Sequence, residues 1–255
     1  MARDKVYFIS DLHLGAGYFK DPLARERHVV SFLDSVKDSA SEIYLLGDIL
    51  DYWFEYKYVV PRGFVRFFGK IAELSDIGVK ITWLVGNHDI WISDYIPSEL
   101  GITVIDGAVT RELCGQRFYM AHGDATGVSS LSFRILRSVF RNKFCQKAFS
   151  AIHPRWTVPF AHRWSSSSRK TGYNGDLYAL QDMAVGRLKI FAESYLADKD
   201  VNIRYFLFGH LHCLCREKIS ENSELIVLGD WISHFSYAVY DGKALEIHRF
   251  RLPEG

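Results

Sequence analysis

Long apolar runs are the first thing that this sequence lacks. No stretch approaches the roughly 18 consecutive apolar residues that a membrane-spanning helix requires. The opening MARDKVYFISDLHLG reaches acidic and histidine side chains after only a short apolar run, whereas a secretion signal carries a longer apolar segment. We therefore expect a cytoplasmic protein with neither a spanning helix nor an export signal.

Cysteine is scarce as well, with four among 255 residues. Cys114 and Cys145 are isolated, and Cys213 and Cys215 form one C-x-C that an extended segment would place on one face. A zinc or redox site of this kind would need a second pair. We expect these side chains to be small buried groups in the sheet rather than ligands.

Acidic residues are absent between Asp124 and Asp176, although the net charge of the whole chain is only +1. This segment carries nine basic residues, interleaved with aromatic and aliphatic side chains at helical spacing. We interpret it as a helical insertion, the cap, over residues 126–198 of a single domain that spans residues 1–255. Cations beside apolar groups suit a ligand with a charged head and apolar tails, and an anionic membrane surface. The alternative is a basic solvated face with ordinary helix packing.

Short apolar segments that end in polar residues recur along the chain and predict buried strands. Amphipathic patterns lie between the early segments, and strands that alternate with helices indicate an α/β fold. The Asp241-Gly242 turn predicts a closing hairpin, and an apolar stripe from Leu177 to Tyr195 predicts a long helix packed on the core. The predicted strands are Lys5–Ile9, Ile43–Leu46, Lys80–Val85, Arg117–Ala121, Arg204–Phe208 and Glu224–Leu228.

Five of these predicted strands run into residue types that bind metals. Loops at the carboxyl ends of strands in an open α/β sheet converge on one crevice, so the five segments should meet. Any one of them alone would be read as a helix cap or a hydrogen-bonded histidine, but five at strand ends favour a site. The segments are Asp11-Leu12-His13, Gly47-Asp48, Gly86-Asn87-His88-Asp89, His122-Gly123-Asp124 and Gly209-His210-Leu211-His212.

The residue types in these segments indicate the chemistry. Imidazole suits zinc, manganese and iron, whereas carboxylate and amide oxygens suit harder ions, so the mixture fits a pair of divalent transition metals. Two such ions can share a carboxylate and support an in-line displacement at phosphorus. The sequence therefore predicts hydrolysis of a phosphate ester or a diphosphate.

The blocks DLH, GD, GNHD, HGD and GHLH, in this order, resemble those of the calcineurin-like metallophosphoesterase superfamily. The resemblance covers the whole core and implies an α/β fold of two packed mixed β-sheets flanked by helices, here with a helical cap insertion. It implies that Asp48 bridges two divalent ions and that His88, oriented by Asp89, acts near the leaving group as acid or charge stabiliser.

The resemblance also assigns the remaining site residues. Asp51, Asp89 and Asp124 would orient the residues that touch the ions. One ion would be held by Asp11, His13, Asp48 and His212, and the other by Asp48, Asn87, His122 and His210.

Within the superfamily the sequence is similar to the UDP-2,3-diacylglucosamine pyrophosphatases of lipid A biosynthesis. The similarity is carried by FISDLHLG, by GDILDYW around Asp48, and by the insertion that contains Phe140-Arg141-Asn142. It implies hydrolysis of the lipid-linked nucleotide sugar to 2,3-diacylglucosamine 1-phosphate (lipid X) and UMP, usually with Mn²⁺, by a protein bound peripherally to the cytoplasmic face of the inner membrane. Many members have Arg at the position of His88. The implied substrate contacts are Asn87, His88, Phe133, Phe140, Arg141, Ser168, Arg169 and Lys170.

Two other functions remain open at this stage. The same core could cleave a soluble nucleotide or a nucleic-acid phosphodiester, since basic and aromatic side chains also bind single strands. A binding module that has lost catalysis is the second alternative, although every expected ligand is present. We expect neither a nucleic acid nor an obligate protein as partner.

Overall fold

The computed structural model describes residues 3–126, 131–159, 177–199 and 201–252. The helices are α1 (Pro22–Val36), α2 (Val65–Asp76), α3 (Tyr95–Leu100), α4 (Leu131–Arg141), α5 (Lys143–Ser150), α6 (residues 154–159) and α7 (Leu177–Lys199). The strands are β1 (Lys5–Ile9), β2 (Ala40–Leu45), β3 (Lys80–Leu84), β4 (Thr103–Ile105), β5 (Val109–Leu113), β6 (Gln116–Ala121), β7 (Tyr205–Phe208), β8 (Leu214–Ser220), β9 (Ser223–Leu228), β10 (Ser236–Tyr240) and β11 (Leu245–Arg249).

The strands form two mixed sheets. The first sheet has the order β11-β10-β1-β2-β3-β4, in which β1 to β4 are parallel and β10 is antiparallel to both of its neighbours, β1 and β11. The second sheet has the order β5-β6-β7-β9-β8, with β6, β7 and β9 parallel between two antiparallel edge strands. In each sheet the parallel strands therefore have their carboxyl ends on the same side.

The two sheets pack face to face over an apolar layer. Phe8 of β1 stacks on Phe118 of β6 with ring centroids 5.6 Å apart, and both rings are fully buried. The outer face of the first sheet packs on α1 and α2 through residues such as Phe32 and Phe67, and the outer face of the second packs on α7 through Leu188. The result is the two-sheet fold flanked by helices that the resemblance implied.

Local sequence signals account for the starts of two helices. Asp21 accepts a hydrogen bond from the Ala24 N–H, and Pro22 occupies the first helical position of α1. Asn142 accepts from the N–H groups of Phe144 and Cys145 and so separates α4 from α5. The caps fix the direction in which each helix leaves its loop.

The six predicted strands are present with small changes at their ends, and the hairpin at Asp241-Gly242 is confirmed. The second strand begins at Ala40 and ends at Leu45, so both of its ends lie earlier than predicted. Strands β4, β5 and β8 were not predicted. The first has only three residues, and the other two are edge strands with many exposed polar side chains.

Helix α7 follows the predicted stripe only in part. Leu188 is buried against the second sheet, and Phe191 and Tyr195 pack around it, but Leu180 is 45% exposed. The amino-terminal part of the helix therefore stands beside the core rather than on it. Cys213 and Cys215 are half-buried at the edge strand β8 rather than in the sheet interior.

No helix within the described ranges combines the length and the apolar character needed to cross a bilayer.

Candidate metal centre

The predicted ligands come together where the parallel strands of both sheets end. Strands β1, β2 and β3 lead into the loops of Asp11, Asp48 and Asn87, and strands β6 and β7 lead into the loops of His122 and His210. Main-chain hydrogen bonds join the loops, for example from Asp11 N–H to the Gly47 carbonyl (3.1 Å). The crevice therefore lies at the carboxyl ends of the parallel strands of both sheets.

The backbone at these ligands is unusual. Asp11, His13, Asp48, His210 and His212 all adopt positive φ angles, from 44° to 67°. A left-handed conformation is uncommon for residues other than glycine, and it clusters at functional sites where the surrounding structure holds it in place. Five of the seven predicted ligands are therefore held in a costly conformation that aims their side chains into one space.

Glycine permits the close approach of two of these loops. A Cβ atom at Gly86 would collide with the Asp48 carboxylate and with the Asp48 main-chain nitrogen. A side chain at Gly47, whose φ is 86°, would collide with the ring of His122. The glycines that precede Asp48 and Asn87 in the sequence are thus required by packing at the site itself.

Asp48 lies at the centre of the site. Its Oδ2 is 3.4 Å from His122 Nε2, 3.6 Å from His13 Nε2 and 3.9 Å from His88 Nε2. Its Oδ1 accepts a hydrogen bond from the His88 main-chain N–H (2.9 Å). One carboxylate oxygen therefore faces imidazoles from three different loops.

Asp11 occupies the neighbouring position. Its Oδ1 is 3.7 Å from His212 Nε2 and 3.8 Å from His13 Nε2, and its Oδ2 accepts from the His210 N–H (2.9 Å). Asp11, His13 and His212 form one group of potential ligand atoms, all within 4.8 Å of one another. The same separation applies within a second group, which consists of Asp48, His122 and His210.

Four imidazoles have a defined orientation because their Nδ1 atoms face oxygen acceptors. His122 Nδ1 is 2.8 Å from the Leu46 carbonyl, and His88 Nδ1 is 2.9 Å from the Asp51 carbonyl. His13 Nδ1 is 3.2 Å from Asp51 Oδ1 and His212 Nδ1 is 3.3 Å from Asp230 Oδ2. A hydrogen on Nδ1 leaves the lone pair on Nε2, which points into the site in each case. This is how proteins prepare histidines to bind a metal.

The charges of the site also suit cations. Burial alone would raise the pKa of Asp48, but the imidazoles of His122 and His88 outweigh it and hold that pKa well below its usual value. Burial would lower the pKa of His13, yet the neighbouring carboxylates of Asp11 and Asp51 raise it to about 9. A buried set of carboxylates that draws positive charge in this way, with imidazole and amide donors around it, fits divalent transition metals.

The three aspartates expected around the ligands play different parts. Asp51 contacts His13, as described above. Asp89 is fully buried, and its carboxylate accepts from the N–H groups of Ile49 and Gly86 and from the indole of Trp83. Through these bonds Asp89 ties together the loops of Asp48 and Asn87, and the expectation that it orients His88 stays a prediction.

Asp124 contacts the cap, and its expected role of orienting a ligand stays a prediction. Its Oδ2 is 3.4 Å from Arg137 Nε on α4. One turn later on the same helix, Arg141 makes two contacts with the carboxylate of Asp106. Two cations of the cap are thus paired with carboxylates of the core.

An aromatic cluster completes the attachment of the cap. The indole of Trp91 donates to the Phe140 carbonyl (2.8 Å) and packs on Phe140 and Phe149 with centroid distances of 5.4 and 5.1 Å. Phe54 packs on the same cluster. Trp91 lies two residues after Asp89, so the cap is attached next to a loop that carries ligands.

The predicted substrate contacts in the cap are only partly visible. Phe140 and Arg141 take part in attaching the cap, and a contact of either with a substrate stays a prediction. The side chain of Phe133 and the residues Ser168, Arg169 and Lys170 lie outside the part of the chain that the structure describes. Asn87 and His88, in contrast, border the site directly, with Asn87 Oδ1 at 3.2 Å from His122 Nε2.

Two contributors were missed from the sequence. Asp230 follows β9 and contacts His212, and its only signal was another Gly-Asp pair after an apolar strand. Trp91 carried no signal, because its partners Phe140 and Phe149 are distant in sequence. Both are positioned by the fold rather than by a local motif.

Two stacked mixed sheets with carboxylate, imidazole and amide donors at the ends of their parallel strands define a metal-dependent hydrolase. The chain belongs to the calcineurin-like phosphoesterase family, whose sequence model matches residues 4–214.

Individual proteins are also similar to this chain in sequence. A Porphyromonas gingivalis protein named UDP-2,3-diacylglucosamine hydrolase is 41% identical over 256 residues, which cover 95% of this chain and 96% of the relative. Proteins with the same name from Neisseria meningitidis and Nitrosococcus oceani are 28% and 23% identical, over 91% and 88% of this chain and 91% and 86% of their own lengths. The similarity thus extends over nearly the full length of each protein, including the cap.

Proposed function

We propose that this chain hydrolyses the diphosphate bond of UDP-2,3-diacylglucosamine and releases UMP and 2,3-diacylglucosamine 1-phosphate. Water forms a new bond to one phosphorus, and the bridging oxygen leaves with the other phosphate. The observation that carries the chemistry is the convergence of three imidazole Nε2 atoms, at 3.4, 3.6 and 3.9 Å, on one oxygen of Asp48. The name shared by the relatives supports the choice of substrate.

The donor set supports two divalent ions with Asp48 shared between them, and Mn²⁺ is the proposed metal. Bound ions would polarise the phosphoryl oxygens and supply an activated water. One ion would be held by Asp11, His13, Asp48 and His212, and the other by Asp48, Asn87, His122 and His210.

His88 is the proposed group for proton transfer. Its Nδ1 is fixed on the Asp51 carbonyl, so Nε2 is the atom available to a substrate. Burial lowers the pKa of His88, and the neutral ring must take up a proton before it can donate one to the leaving oxygen. The negative charge of a bound diphosphate favours that uptake. Asn87 and His88 are therefore the proposed core contacts of the diphosphate.

The cap is the proposed binding region for the rest of the substrate and for the membrane. On α5 and α6, Phe144 and Trp156 are 80% and 70% exposed, and the neighbouring Lys143 and Lys147 are exposed as well. Apolar groups beside cations favour a lipid with an anionic head. We propose that the protein works at the cytoplasmic face of the inner membrane, with Phe133, Arg169 and Lys170 among the contacts of the lipid nucleotide.

The test is direct incubation of the purified protein with UDP-2,3-diacylglucosamine and Mn²⁺ in mixed micelles, with the products separated by mass. UMP and the lipid monophosphate are expected in equal amounts, and a chelator or Asp48→Ala should abolish both. A soluble phosphodiester, bis(p-nitrophenyl) phosphate, serves as the comparison substrate. Rapid cleavage of this ester with no UMP released from the lipid would overturn the proposed substrate and favour a soluble phosphodiester.

A further inference from the structure

Asp230 lies outside the five sequence blocks that carry the resemblance to the family. It follows β9, sixteen residues beyond the end of the family match at residue 214. Gly229 turns the chain there with a φ of 79°, and a Cβ atom at that position would be 2.5 Å from Ser236 Oγ. This turn brings Asp230 to the same sheet edge as the loops that carry the ligands.

The two oxygens of the Asp230 carboxylate have different partners. Oδ1 accepts from the main-chain N–H groups of Ile232 (3.1 Å), Ser233 (2.8 Å) and His234 (3.0 Å). Oδ2 faces His212 Nδ1 at 3.3 Å. The Ser233 hydroxyl and His234 Nδ1 also contact this carboxylate, whose side chain is only 5% exposed. The loop therefore holds one oxygen and directs the other at His212.

This contact decides which nitrogen of His212 carries the hydrogen. An ionised carboxylate only accepts hydrogen bonds, so Nδ1 is the protonated nitrogen and Nε2 keeps its lone pair. Three main-chain N–H groups donate to Oδ1, and hydrogen bonds of this kind favour the ionised form of a carboxylate. The ring of His212 stacks on that of His13, with centroids 5.0 Å apart. Its Nε2 then lies 3.7 Å from Asp11 Oδ1.

We propose that Asp230 is a positioning residue of the metal centre, which fixes the orientation and the Nδ1–H form of His212. The same loop is also joined to Asp11, because the Trp231 N–H donates to the Asp11 carbonyl (3.1 Å). The loop thus supports two proposed ligands of one ion. This inference rests on the proposed metal-dependent function, but its test uses no substrate.

The variant Asp230→Asn separates positioning from packing. The amide has the size of the carboxylate, and its one oxygen is needed by the three N–H groups of the loop. The NH₂ group must then face His212 Nδ1 and donate to it, so the hydrogen of His212 moves to Nε2 and the lone pair that binds metal is lost. Loss of such an orienting partner typically weakens metal binding by about 10- to 100-fold.

The first experiment determines which ring nitrogen of His212 carries the hydrogen. Long-range ¹H–¹⁵N correlation spectra of the metal-free protein should show the Nδ1–H form for His212 and the Nε2–H form in Asp230→Asn. An Nε2–H form in the unmodified protein would overturn the proposal, and this result needs no variant that folds.

The second experiment titrates Mn²⁺ into the same proteins. One ion should bind about 10- to 100-fold more weakly in Asp230→Asn, and the other should be unchanged. Asp241→Asn is the matched control, because Asp241 also accepts two N–H groups of a turn, those of Lys243 and Ala244, but in the exposed β10–β11 hairpin. It should bind both ions normally.

A double variant tests whether Asp230 acts through His212. In a His212→Ala background, Asp230→Asn should cause no further loss of metal affinity. If Asp230→Asn lowers metal affinity as much in the His212→Ala background as in the unmodified protein, Asp230 does not act through His212. If Asp230→Asn weakens the binding of both ions equally and lowers the Tm, its role is structural. Either result would contradict the proposal. Failure to cleave the lipid nucleotide would overturn the proposed substrate and leave these results unaffected.

Discussion

Replacement of Asp89 by alanine should strongly destabilise the protein, because the Asp89 carboxylate joins two loops of the metal centre through buried hydrogen bonds. Three buried donors depend on it: the Ile49 N–H at 2.9 Å, the Trp83 indole at 3.1 Å and the Gly86 N–H at 2.6 Å. A buried donor left without an acceptor costs about 1–3 kcal/mol. Asp89→Ala should therefore lower the free energy of unfolding by at least about 3 kcal/mol, a large part of the roughly 5–15 kcal/mol that stabilises a typical domain.

The variant Asp89→Asn provides a graded comparison. Its one oxygen can keep the Ile49 and Trp83 donors, whereas its NH₂ group would face the Gly86 N–H without an acceptor between them. The expected loss is that of a single donor, about 1–3 kcal/mol. The order of stability should be the unmodified protein, then asparagine, then alanine.

Urea unfolding of the metal-free proteins, followed by circular dichroism, measures these differences without the stabilisation that a bound ion adds. Asp38→Ala is the control, because Asp38 is exposed on the surface and its loss should change stability by less than about 0.5 kcal/mol. If Asp89→Ala unfolds within about 1 kcal/mol of the unmodified protein, the assignment of Asp89 as the residue that joins the loops is wrong.

Three further predictions concern the site and the cap. Asp48→Ala should abolish binding of both ions and lower kcat/KM by about 10³-fold or more, since the shared ligand is lost; metal analysis of the purified variant that still finds two ions per chain would contradict this. His88→Ala should stay folded and metal-loaded while kcat falls by about 10²- to 10⁴-fold, and loss of metal would show instead that His88 is a ligand. Arg141→Ala and Asp106→Asn should have the same small effect on stability, about 1 kcal/mol or less because the pair is partly exposed; a KM effect confined to Arg141→Ala would make this arginine a substrate contact.

The ligands could be predicted from the sequence because each one follows an apolar strand. The end of a parallel strand places its next residues at a known edge of the sheet, so Asp11, Asp48 and His210 could be brought together without coordinates. The glycines that precede Asp48 and His210 are consistent with sharp turns of the backbone at these positions. Short continuous apolar segments also indicated the central strands, because these strands are buried on both faces.

The remaining features depend on contacts between distant parts of the chain. Asp230 and Asp48 both follow a glycine at a strand end. Only the packing of the loops shows that Asp230 faces the ring of His212, whereas Asp48 faces several histidine rings. The hydrogen bond that Asp89 accepts from the Ile49 N–H joins loops that are distant in sequence, and no local motif indicated it. Trp91 and Phe140 meet only because α4 is folded back onto the core. Edge strands β5 and β8 were not predicted, because their exposed polar side chains interrupt the apolar pattern of a strand.

The central claim is that two ions occupy this crevice and share Asp48. Crystals soaked with Mn²⁺ and measured near the manganese absorption edge test it most directly. The account predicts two anomalous peaks about 3.5–4 Å apart, with the Asp48 carboxylate between them, one beside His13 and His212 and the other beside His122 and His210. A single peak, or two peaks that do not share Asp48, would contradict it.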